Sequence, residues 1–308
     1  MHIKPLGTAV MWRRHHGVVP VGVIDVGSNT VRVKVAQGDE ELFSVREMLR
    51  LGAEVEERGA ISAAKLAETA EVVRRFSDLA RANGATDLEV LITSPGRQAA
   101  NGEELLETLA QAGTCGARIL SSIEEGLLAF NGALSVAMPP PRRLVAVVDV
   151  GGGSAQVVVG SRHDGPVWAR SIDIGSQRLT SRLLRGDPPG HDAVATARAE
   201  VERYLADFDA PTPRMTFAVG GSARALRRLA GGRLGAEELA SVTELLATTS
   251  SQRLIDKHGV DPERVRTMAA GAVILSAIQQ RLGPSLKIVR AGLREGALLE
   301  LTARSAAA

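Results

Sequence analysis

Two aspartates in this sequence each stand near the end of an apolar run and just before a glycine-rich turn. Asp25 lies in Val-Ile-Asp-Val-Gly-Ser-Asn-Thr-Val-Arg-Val at 23–33, and Asp149 lies in Val-Val-Asp-Val-Gly-Gly-Gly-Ser-Ala-Gln-Val at 147–157. Each copy predicts a strand, a tight turn and a returning strand. Glycine lets backbone N–H groups approach a phosphate closely, and a carboxylate can hold a hard cation. The repeat therefore indicates two facing loops that clamp a phosphate–Mg²⁺ group.

The segments around these turns alternate between strand and helix patterns. Ser62–Asn83 is predicted as a long amphipathic helix, because its apolar residues recur on one face, Ser62 can cap it and Asn83-Gly84 can end it. The other predicted elements of the first half are a strand region at Glu41–Leu51, a strand at Leu88–Thr93, a turn at Ser94–Gly96, a helix at Glu103–Ala112, a strand at Ala117–Leu120 and a helix at Ser122–Val136. Further glycine turns follow at Ile174–Ser176 and Val219–Ser222.

A proline run divides the sequence into two similar halves. Residues 1–20 are expected to be a disordered extension, with Met11 as an alternative start to Met1. Residues 21–138 form the predicted N-terminal domain, 139–143 a proline-rich linker and 144–303 the C-terminal domain, whose last helix is expected to pack back on the first domain. Arg304–Ala308 is expected to be a frayed tail. The predicted class is α/β, with a ligand cleft between two halves.

Composition excludes several classes of function. The 308 residues suffice for two cores, and 44% hydrophobic and 23% charged residues are ordinary globular values. Aromatic residues are only 3% and the net charge is +2, so no DNA or RNA partner is expected. The single Cys115 suits a reducing compartment, and no apolar stretch approaches the roughly 20 residues of a membrane helix. A cytoplasmic protein with no membrane partner is therefore expected.

The turn motifs occur in the order and spacing of a known enzyme family. They are Asp25–Thr30, Thr93–Ala99, Glu124–Gly126, Asp149–Ser154, Gly220–Leu226 and Gly292–Gly296. In these motifs the chain resembles the exopolyphosphatase and guanosine pentaphosphate phosphohydrolase family over about residues 21–301. The resemblance implies two ribonuclease-H-like, actin-like ATPase domains around a phosphate-binding cleft, in the compact form that lacks appended helical domains. Relatives often dimerise, so a homodimer is allowed, although no interface signature is visible in the sequence.

The resemblance also implies roles for individual residues. Glu125 matches the family's proposed catalytic base, and Arg97 matches its phosphate-contacting arginine. Asp25 and Asp149 would hold Mg²⁺ or another divalent cation, since carboxylates without a His or Cys cluster favour a hard, oxygen-binding ion. Three loops can supply phosphate-binding donors: Gly27, Ser28, Asn29 and Thr30; Gly151, Gly152, Gly153 and Ser154; and Gly220, Gly221 and Ser222.

One position departs from the family in a way that bears on catalysis. Gln156 stands where family members commonly have a glutamate thought to assist metal binding or water activation. An amide keeps an oxygen ligand but lacks negative charge and basicity, so metal affinity or rate could fall. Ser121-Ser122-Ile123 also replaces the family's glycine before the glutamate pair. Gln156 is nevertheless counted with Glu125 and Asp149 among the catalytic candidates.

Simpler structural roles compete with these interpretations. Asp25 and Asp149 could be turn acids bonded to their own backbone, and Glu124 and Glu125 could be first-turn acids favoured by the helix dipole, a role we favour for Glu124. Arg97 could be a solvated loop residue. Ser154 and Ser222 could be caps, and a structural pair is favoured for Arg294 and Glu295. The dipeptides at 163–164 and 191–192 lack the further ligands of a His–Asp metal site. The arginines of 178–185 and 224–233 are expected mostly on solvated helix faces, with some able to line a polyanion channel.

Three functions remain open at this stage. The first is an exopolyphosphatase that releases orthophosphate stepwise from the end of inorganic polyphosphate. The second uses the same site to convert guanosine pentaphosphate to the tetraphosphate, and the scarcity of aromatic residues for guanine stacking favours polyphosphate slightly. The third is a non-catalytic sensor of either polyanion, which the change at Gln156 makes conceivable. A sugar kinase is disfavoured, because the motif at Glu125 belongs to the hydrolase branch.

Overall fold

The computed structural model describes residues 19–140 and 142–306 as two β-sheets with helices on their faces. All but the last two residues of the predicted extension at 1–20 lie outside the described residues, together with Met1 and Met11. The elements of the first half are β1 (Val21–Val26), β2 (Thr30–Gln37), β3 (Glu40–Met48), α1 (Leu51–Arg58), α2 (Ala63–Ala82), β4 (Asp87–Ile92), α3 (Ser94–Gln98), α4 (Gly102–Gly113), β5 (Gly116–Ile119) and α5 (Ser122–Ala137).

The second half repeats this plan with additional helices. Its elements are β6 (Val145–Val150), β7 (Ala155–Ser161), β8 (Gly165–Ile172), α6 (Ser176–Leu183), α7 (His191–Tyr204), β9 (Met215–Val219), α8 (Gly220–Leu226), β10 (Arg233–Leu234), α9 (Ala236–Thr248), α10 (Ser251–His258), α11 (Val265–Leu282), β11 (Leu286–Ile288) and α12 (Leu293–Ser305).

The two sheets share a five-strand arrangement, and the second adds β10 as an edge strand antiparallel to β11. The first has the order β3-β2-β1-β4-β5 and the second β10-β11-β9-β6-β7-β8. In each, a three-stranded antiparallel meander is joined on one side by parallel strands. Asp25 of β1 lies opposite Arg32 of β2, and Asp149 of β6 lies opposite Gln156 of β7. The two predicted hairpins are thus confirmed, and they occupy equivalent positions in a two-sheet α/β fold.

Each sheet buries one face against helices of its own half. In the first sheet Val31, Val33 and Val35 alternate with polar residues along β2 and pack in a core with Phe76 of α2. In the second, the apolar helix α11 packs with residues of β6 and β7 in a larger core. The opposite faces are where the two halves meet.

Each half of the chain contributes one helix to the sheet of the other half, α5 to the second sheet and α12 to the first. Phe130 and Leu134 of α5 pack on strands of the second sheet, whereas Leu298 and Leu301 of α12 pack on the first. The two helices also cross each other closely, since a Cβ atom at Gly296 would collide with the carbonyl oxygen of Leu128. The core therefore crosses the proposed division at 139–143, and the domain boundary itself stays a prediction.

Of the local predictions, one long helix is confirmed and three predicted turns prove to be helix starts. The helix predicted at Ser62–Asn83 is confirmed, with the Lys65 amide donating to Ser62 Oγ at 3.3 Å. The turn at 94–96 is instead the start of α3, where proline is compatible with the first helical positions. The glycine turns before 176 and 222 open α6 and α8.

Two boundaries were wrong. The strand region predicted at Glu41–Leu51 ends at Met48, because Arg50 adopts φ 56° and α1 begins at Leu51. The tail predicted from Arg304 is helical as far as Ser305, whose hydroxyl donates to Asp87 Oδ2 at 2.9 Å while Arg304 bonds Glu89. Across the ranges 19–140 and 142–306, no helix is long and apolar enough to span a membrane.

Candidate active site

A cleft of about 130 Å³ lies between the sheets at the ends of β1 and β6. Twelve of the sixteen candidate residues line it: Asp25, Gly27, Ser28, Asn29, Thr30, Glu125, Asp149, Gly151, Gly152, Gly220, Gly221 and Ser222. They come from distant parts of the chain, and the fold brings them together because equivalent strand ends of the two sheets face each other. Their individual roles stay predictions.

The glycine loops contact each other directly. Ser28 Oγ lies 2.6 Å from Ser94 Oγ, and a Cβ atom at Gly152 would come within 2.8 Å of Ser28 Cβ. Gly220 is constrained in a second way, because its φ is +81° and a Cβ atom there would collide with Asp149 Oδ1. Side chains at these positions would push the loops apart or displace the carboxylate.

Four carboxylates line the cleft, those of Asp25, Glu125, Asp149 and Glu295, and the pKa values of the first three are raised. Glu125 is 7% exposed, and burial raises its pKa to about 7, against the lowering effect of Arg97 and with a further raising effect of Asp149. Burial likewise raises the pKa of Asp149 to about 6, with Arg224 lowering it and Asp25 raising it. The pKa of Asp25 is raised by burial too, although Arg294 Nη1 lies 3.3 Å from its Oδ2. A carboxylate with a pKa near neutrality is suited to general-base chemistry.

Four candidates lie behind the cleft wall: Arg97, Gly153, Ser154 and Gln156 do not line it. Arg97 Nη2 donates to Glu125 Oε2 at 2.8 Å, and its Nη1 donates to the Leu120 carbonyl at 2.7 Å. In this structure the guanidinium therefore orients the carboxylate. Whether it also contacts phosphate stays a prediction.

Gln156 is buried beside this pair. Its Nε2 donates to Ser154 Oγ at 2.9 Å, and Arg97 Nη2 donates to the same hydroxyl at 3.3 Å. The Gln156 Oε1 atom is buried and has no hydrogen-bond partner among the described residues. An orphaned oxygen of this kind is a polar group available to a ligand, water or cation.

Hydroxyl and carboxyl groups near the cleft also serve local structure. Ser222 Oγ donates to the Val150 carbonyl at 2.8 Å, which links α8 to the end of β6. Glu124 forms a capping box with Ser121, accepting from its amide at 2.8 Å. The structural role favoured for Glu124 is confirmed, and the neighbouring Glu125 is left to face the cleft.

Five arginines line the cleft: Arg32, Arg224, Arg264, Arg290 and Arg294. Of these, the sequence pointed only to Arg224, as one of the arginines of 224–233 able to line a polyanion channel. Burial and the neighbouring arginines lower the pKa of Arg32 to about 9, and the pKa values of Arg224 and Arg264 are lowered for the same reasons. Like charges are held together here, as expected of an anion site. One signal was available for Arg32, which alternates with buried valines on β2 directly opposite Asp25.

The acidic residues fit a divalent cation shared with a ligand. Among the described residues, no three His, Cys, Asp or Glu side chains converge into a metal cluster. Asp149 receives no side-chain hydrogen bond or ion pair from any described residue, and it lines the same cleft as Asp25. Two hard oxygen donors leave most coordination positions to water and phosphate oxygens, which is the usual arrangement for Mg²⁺.

Comparison with known proteins agrees with this two-sheet architecture. Exopolyphosphatase 1 of Mycobacterium tuberculosis is 28% identical over 301 residues, covering 91% of this chain and 87% of that protein. The guanosine-5'-triphosphate,3'-diphosphate pyrophosphatase of Aeromonas hydrophila is 26% identical, covering 90% of this chain but 58% of its own length. An exopolyphosphatase-like protein of known structure superposes with a TM-score of 0.85 at 26% identity, covering 93% of this chain and 100% of its own.

The two-sheet α/β fold, the cleft lined by carboxylates and arginines, and these relatives together define a hydrolase. The family model described as the Ppx/GppA phosphatase family matches residues 30–305. The chain belongs to the Ppx/GppA phosphatase family.

Proposed function

We propose that this protein is an exopolyphosphatase that hydrolyses the terminal phosphate of inorganic polyphosphate and releases orthophosphate with the help of Mg²⁺ or another divalent cation. The observation that carries the proposal is the buried carboxylate of Glu125, with a pKa of about 7, in a cleft also lined by two aspartates and five arginines. The mycobacterial relatives named exopolyphosphatase support the choice of substrate.

Glu125 is the proposed general base. Its ionised carboxylate orients the attacking water and accepts a proton from it, while Arg97, 2.8 Å away, holds the carboxylate in place. Burial keeps the pKa high enough for a useful base at neutral pH. Neither Arg97 nor Gln156 needs to touch the substrate for this step.

The cleft arginines and loop amides stabilise the charge that develops on the transferred phosphoryl group. Phosphoryl transfer spreads negative charge over oxygens, so positioned donors lower the barrier most effectively. Arg32 and Arg224 line the cleft together with the backbone of Gly27, Gly151 and Gly220. Asp25 and Asp149 would hold Mg²⁺, which would supply further neutralisation of the phosphate oxygens.

Guanosine pentaphosphate hydrolysis is the second candidate, and a specific chamber favours it. This chamber, of about 970 Å³, adjoins the cleft through Arg32, Arg224, Arg290 and Arg294. Its lining includes the apolar side chains of Val136, Met138, Ile288 and Leu298 and the carboxylates of Asp39 and Glu41. Apolar walls with a few acceptors could receive a nucleoside whose phosphates lie on the arginines.

Orthophosphate release from long-chain polyphosphate, tripolyphosphate and guanosine pentaphosphate, each with Mg²⁺ and with EDTA, tests the proposal. Metal-dependent release that Asp149→Asn abolishes supports the hydrolase, and the relative kcat/KM values decide between polyphosphate and the nucleotide. Asp207→Asn, at an exposed position outside the cleft, is the matched control and should leave release unchanged. Binding of polyphosphate without release from any substrate would overturn the proposal in favour of a sensor.

The proposal also includes a cellular location, an oligomeric state and the classes of partner. A cytoplasmic location is consistent with the single Cys115, which is half-buried and forms no disulfide. The homodimer and the lack of nucleic-acid or membrane partners stay predictions.

A further inference from the structure

The two glycine loops of the cleft, at 27–30 and 151–154, are each held by the start of a helix. In the first half, the Gly52 amide at the start of α1 donates to the Ser28 carbonyl at 2.7 Å. The amides of Leu49 and Arg50, which lead into α1, both donate to the Asn29 carbonyl at 3.0 Å. A carbonyl held in this way fixes its whole peptide plane, because the peptide bond is planar. The start of α1 therefore sets the direction of the loop amides that are proposed to bind phosphate.

The second half repeats this arrangement with α6. The Ser176 amide donates to the Gly151 carbonyl at 2.9 Å. The Gly152 carbonyl accepts from the amides of Gln177 and Arg178 at 2.9 and 3.1 Å. Helices α1 and α6 each follow the last strand of the meander in their own sheet, so they occupy equivalent positions. A shift of α1 relative to α6 would therefore change the distance between the two loops.

Glu56 joins these two helices across the boundary between the halves. Its Oε1 lies 2.5 Å from Arg178 Nε, and its Oε2 accepts from Arg182 Nε at 2.9 Å. The Glu56 and Arg178 side chains are only 12% and 14% exposed. Asp173 Oδ1 lies 2.6 Å from Arg178 Nη1 and accepts from Gln98 of α3 at 2.8 Å, which extends the contact between the halves. Ion pairs shielded from water in this way are costly to break from one side.

A second set of ion pairs between the halves is more exposed. Arg46 Nη2 lies 3.0 Å from Asp261 Oδ2 and 3.1 Å from Glu263 Oε2, and all three side chains are at least 34% exposed. Exposed pairs of this kind contribute little to stability. Arg178 differs in a further way, because its amide holds the glycine loop while its guanidinium contacts Glu56. The buried contact of Glu56 is therefore coupled directly to the cleft.

We propose that Glu56 is a positioning residue, which holds the two glycine loops at the separation that clamps one phosphoryl group. This inference rests on the proposed function, because the loops are taken to bind the phosphate being transferred. Glu56 does not line the cleft, so it acts through α1 and α6 and not by contact with the substrate. Donors arranged beforehand around the developing charge lower the barrier, and a misplacement of about 1 Å can lower a rate about 100-fold. Loss of Glu56 therefore acts on kcat more than on KM.

The first test is steady-state orthophosphate release from inorganic polyphosphate with Mg²⁺, at a temperature well below the Tm of every variant. Glu56→Gln keeps the size of the side chain but removes its charge, so kcat should fall about tenfold or more while KM stays within about threefold. Glu57→Gln is the matched control, because Glu57 is the next residue of α1, is exposed and forms no ion pair with any described residue. This control should leave both constants unchanged. An unchanged kcat in Glu56→Gln, even with a lower Tm, would overturn the positioning role.

Two further variants keep the inference testable if Glu56→Gln does not fold. Arg182→Gln removes one of the two ion pairs and should lower kcat about threefold, whereas an unchanged kcat would overturn the inference. Arg178→Gln should lower kcat as Glu56→Gln does, and the double variant should lower it little further, because contacting residues act together. Fully additive losses in this cycle would show that the two side chains act independently and would also overturn the inference.

A second measurement separates this inference from the proposed function. Wild-type protein that releases no orthophosphate would overturn the proposed function, and amide hydrogen exchange would then test Glu56 without any reaction. Peptides that cover 27–30 and 151–154 should exchange at least about threefold faster in Glu56→Gln than in wild type or Glu57→Gln, because the loops lose their fixed support. Equal exchange of these loops in all three proteins would overturn the positioning role whether or not the protein is a hydrolase.

Discussion

Asp149 and Gln156 lie directly opposite each other in the ladder between β6 and β7, with both side chains on one face of the sheet. The equivalent pair in the first sheet is Asp25 and Arg32. One cleft aspartate therefore faces a cation, and the other faces a neutral amide whose Oε1 has no partner among the described residues. The two halves of the repeat carry the same acid in different electrostatic settings.

This pairing predicts the effect of Gln156→Glu. A glutamate would place a second carboxylate beside Asp149, which is repulsive without a cation but supplies another hard ligand when one binds. We expect Mg²⁺-dependent turnover to rise and the Mg²⁺ concentration for half-maximal rate to fall. Steady-state orthophosphate release across a Mg²⁺ titration measures both, with Gln252→Glu on the exposed face of α10 as control. An unchanged or lower rate would contradict this interpretation of Gln156.

Replacing the proposed base should remove most of the activity. Glu125→Gln keeps the shape of the side chain but cannot accept a proton, so kcat should fall about 10²–10⁴-fold, the usual contribution of general-base catalysis. Glu124→Gln is the matched control, because the adjacent carboxylate serves the helix cap. It should lower thermal stability slightly and leave kcat nearly unchanged. Equal losses in the two variants would argue against a chemical role for Glu125.

The rate should also depend on pH through Glu125. A base acts in its ionised form, so kcat/KM should rise with pH and level off above a midpoint of about 7. Because Arg97 lowers the pKa of Glu125, Arg97→Gln should move this midpoint to higher pH. Profiles for both proteins measured at saturating Mg²⁺ test the assignment. A midpoint that Arg97→Gln leaves in place would assign the titration to another group.

When no divalent cation is bound, the stability of the folded protein should fall as the pH rises, whereas the rate rises. The pKa values of Glu125 and Asp149 are raised from 4.5 and 3.8 to about 7 and about 6, so the folded state holds protons more tightly than the unfolded chain does. The contribution of these two groups to the free energy of unfolding is complete at pH values below about 4 and is lost as pH rises through about 7. In EDTA, the Tm should therefore fall between about pH 5 and about pH 8.

Magnesium should reverse this loss, because a cation bound by the folded state alone stabilises it. The Tm gain on adding Mg²⁺ should be larger at about pH 8 than at about pH 5, where protons compete for the carboxylates. Asp149→Asn should reduce both the pH dependence in EDTA and the gain from Mg²⁺. Differential scanning calorimetry of the two proteins would decide, and identical Mg²⁺ shifts in both would remove Asp149 from the cation site.

Local sequence patterns predicted the parts of the fold that depend on neighbouring residues. The hairpins around Asp25 and Asp149 and the helix capped by Ser62 follow from alternation, glycine turns and capping, which act over a few positions. Apart from Arg224, which lies in the arginine-rich stretch at 224–233, the arginines of the cleft could not be found in this way. Arg264 precedes α11 and Arg290 precedes α12, and only the tertiary fold brings them beside Arg32.

The orientation of individual side chains also could not be predicted from the sequence. Arg97 lies in α3, directly after β4, yet its guanidinium donates to Glu125 and to the Leu120 carbonyl and does not line the cleft. Because the contacts of this guanidinium depend on how α3 packs against β5 and α5, the local sequence does not specify them. A sequence motif can therefore identify a functional residue without specifying its hydrogen-bond partners.

The exchange of α5 and α12 makes the two halves mutually dependent for folding. Cutting the chain at the proline run would leave α5 on the first fragment with its apolar face bare, since the sheet that covers Phe130 would be on the second. The second fragment would carry α12 without the strands that cover Leu298. Each fragment alone would expose an apolar surface, and the two fragments together would reassociate as a split protein. Nicking between the halves would therefore leave an associated pair, held by the same two helices that cross beside the active cleft.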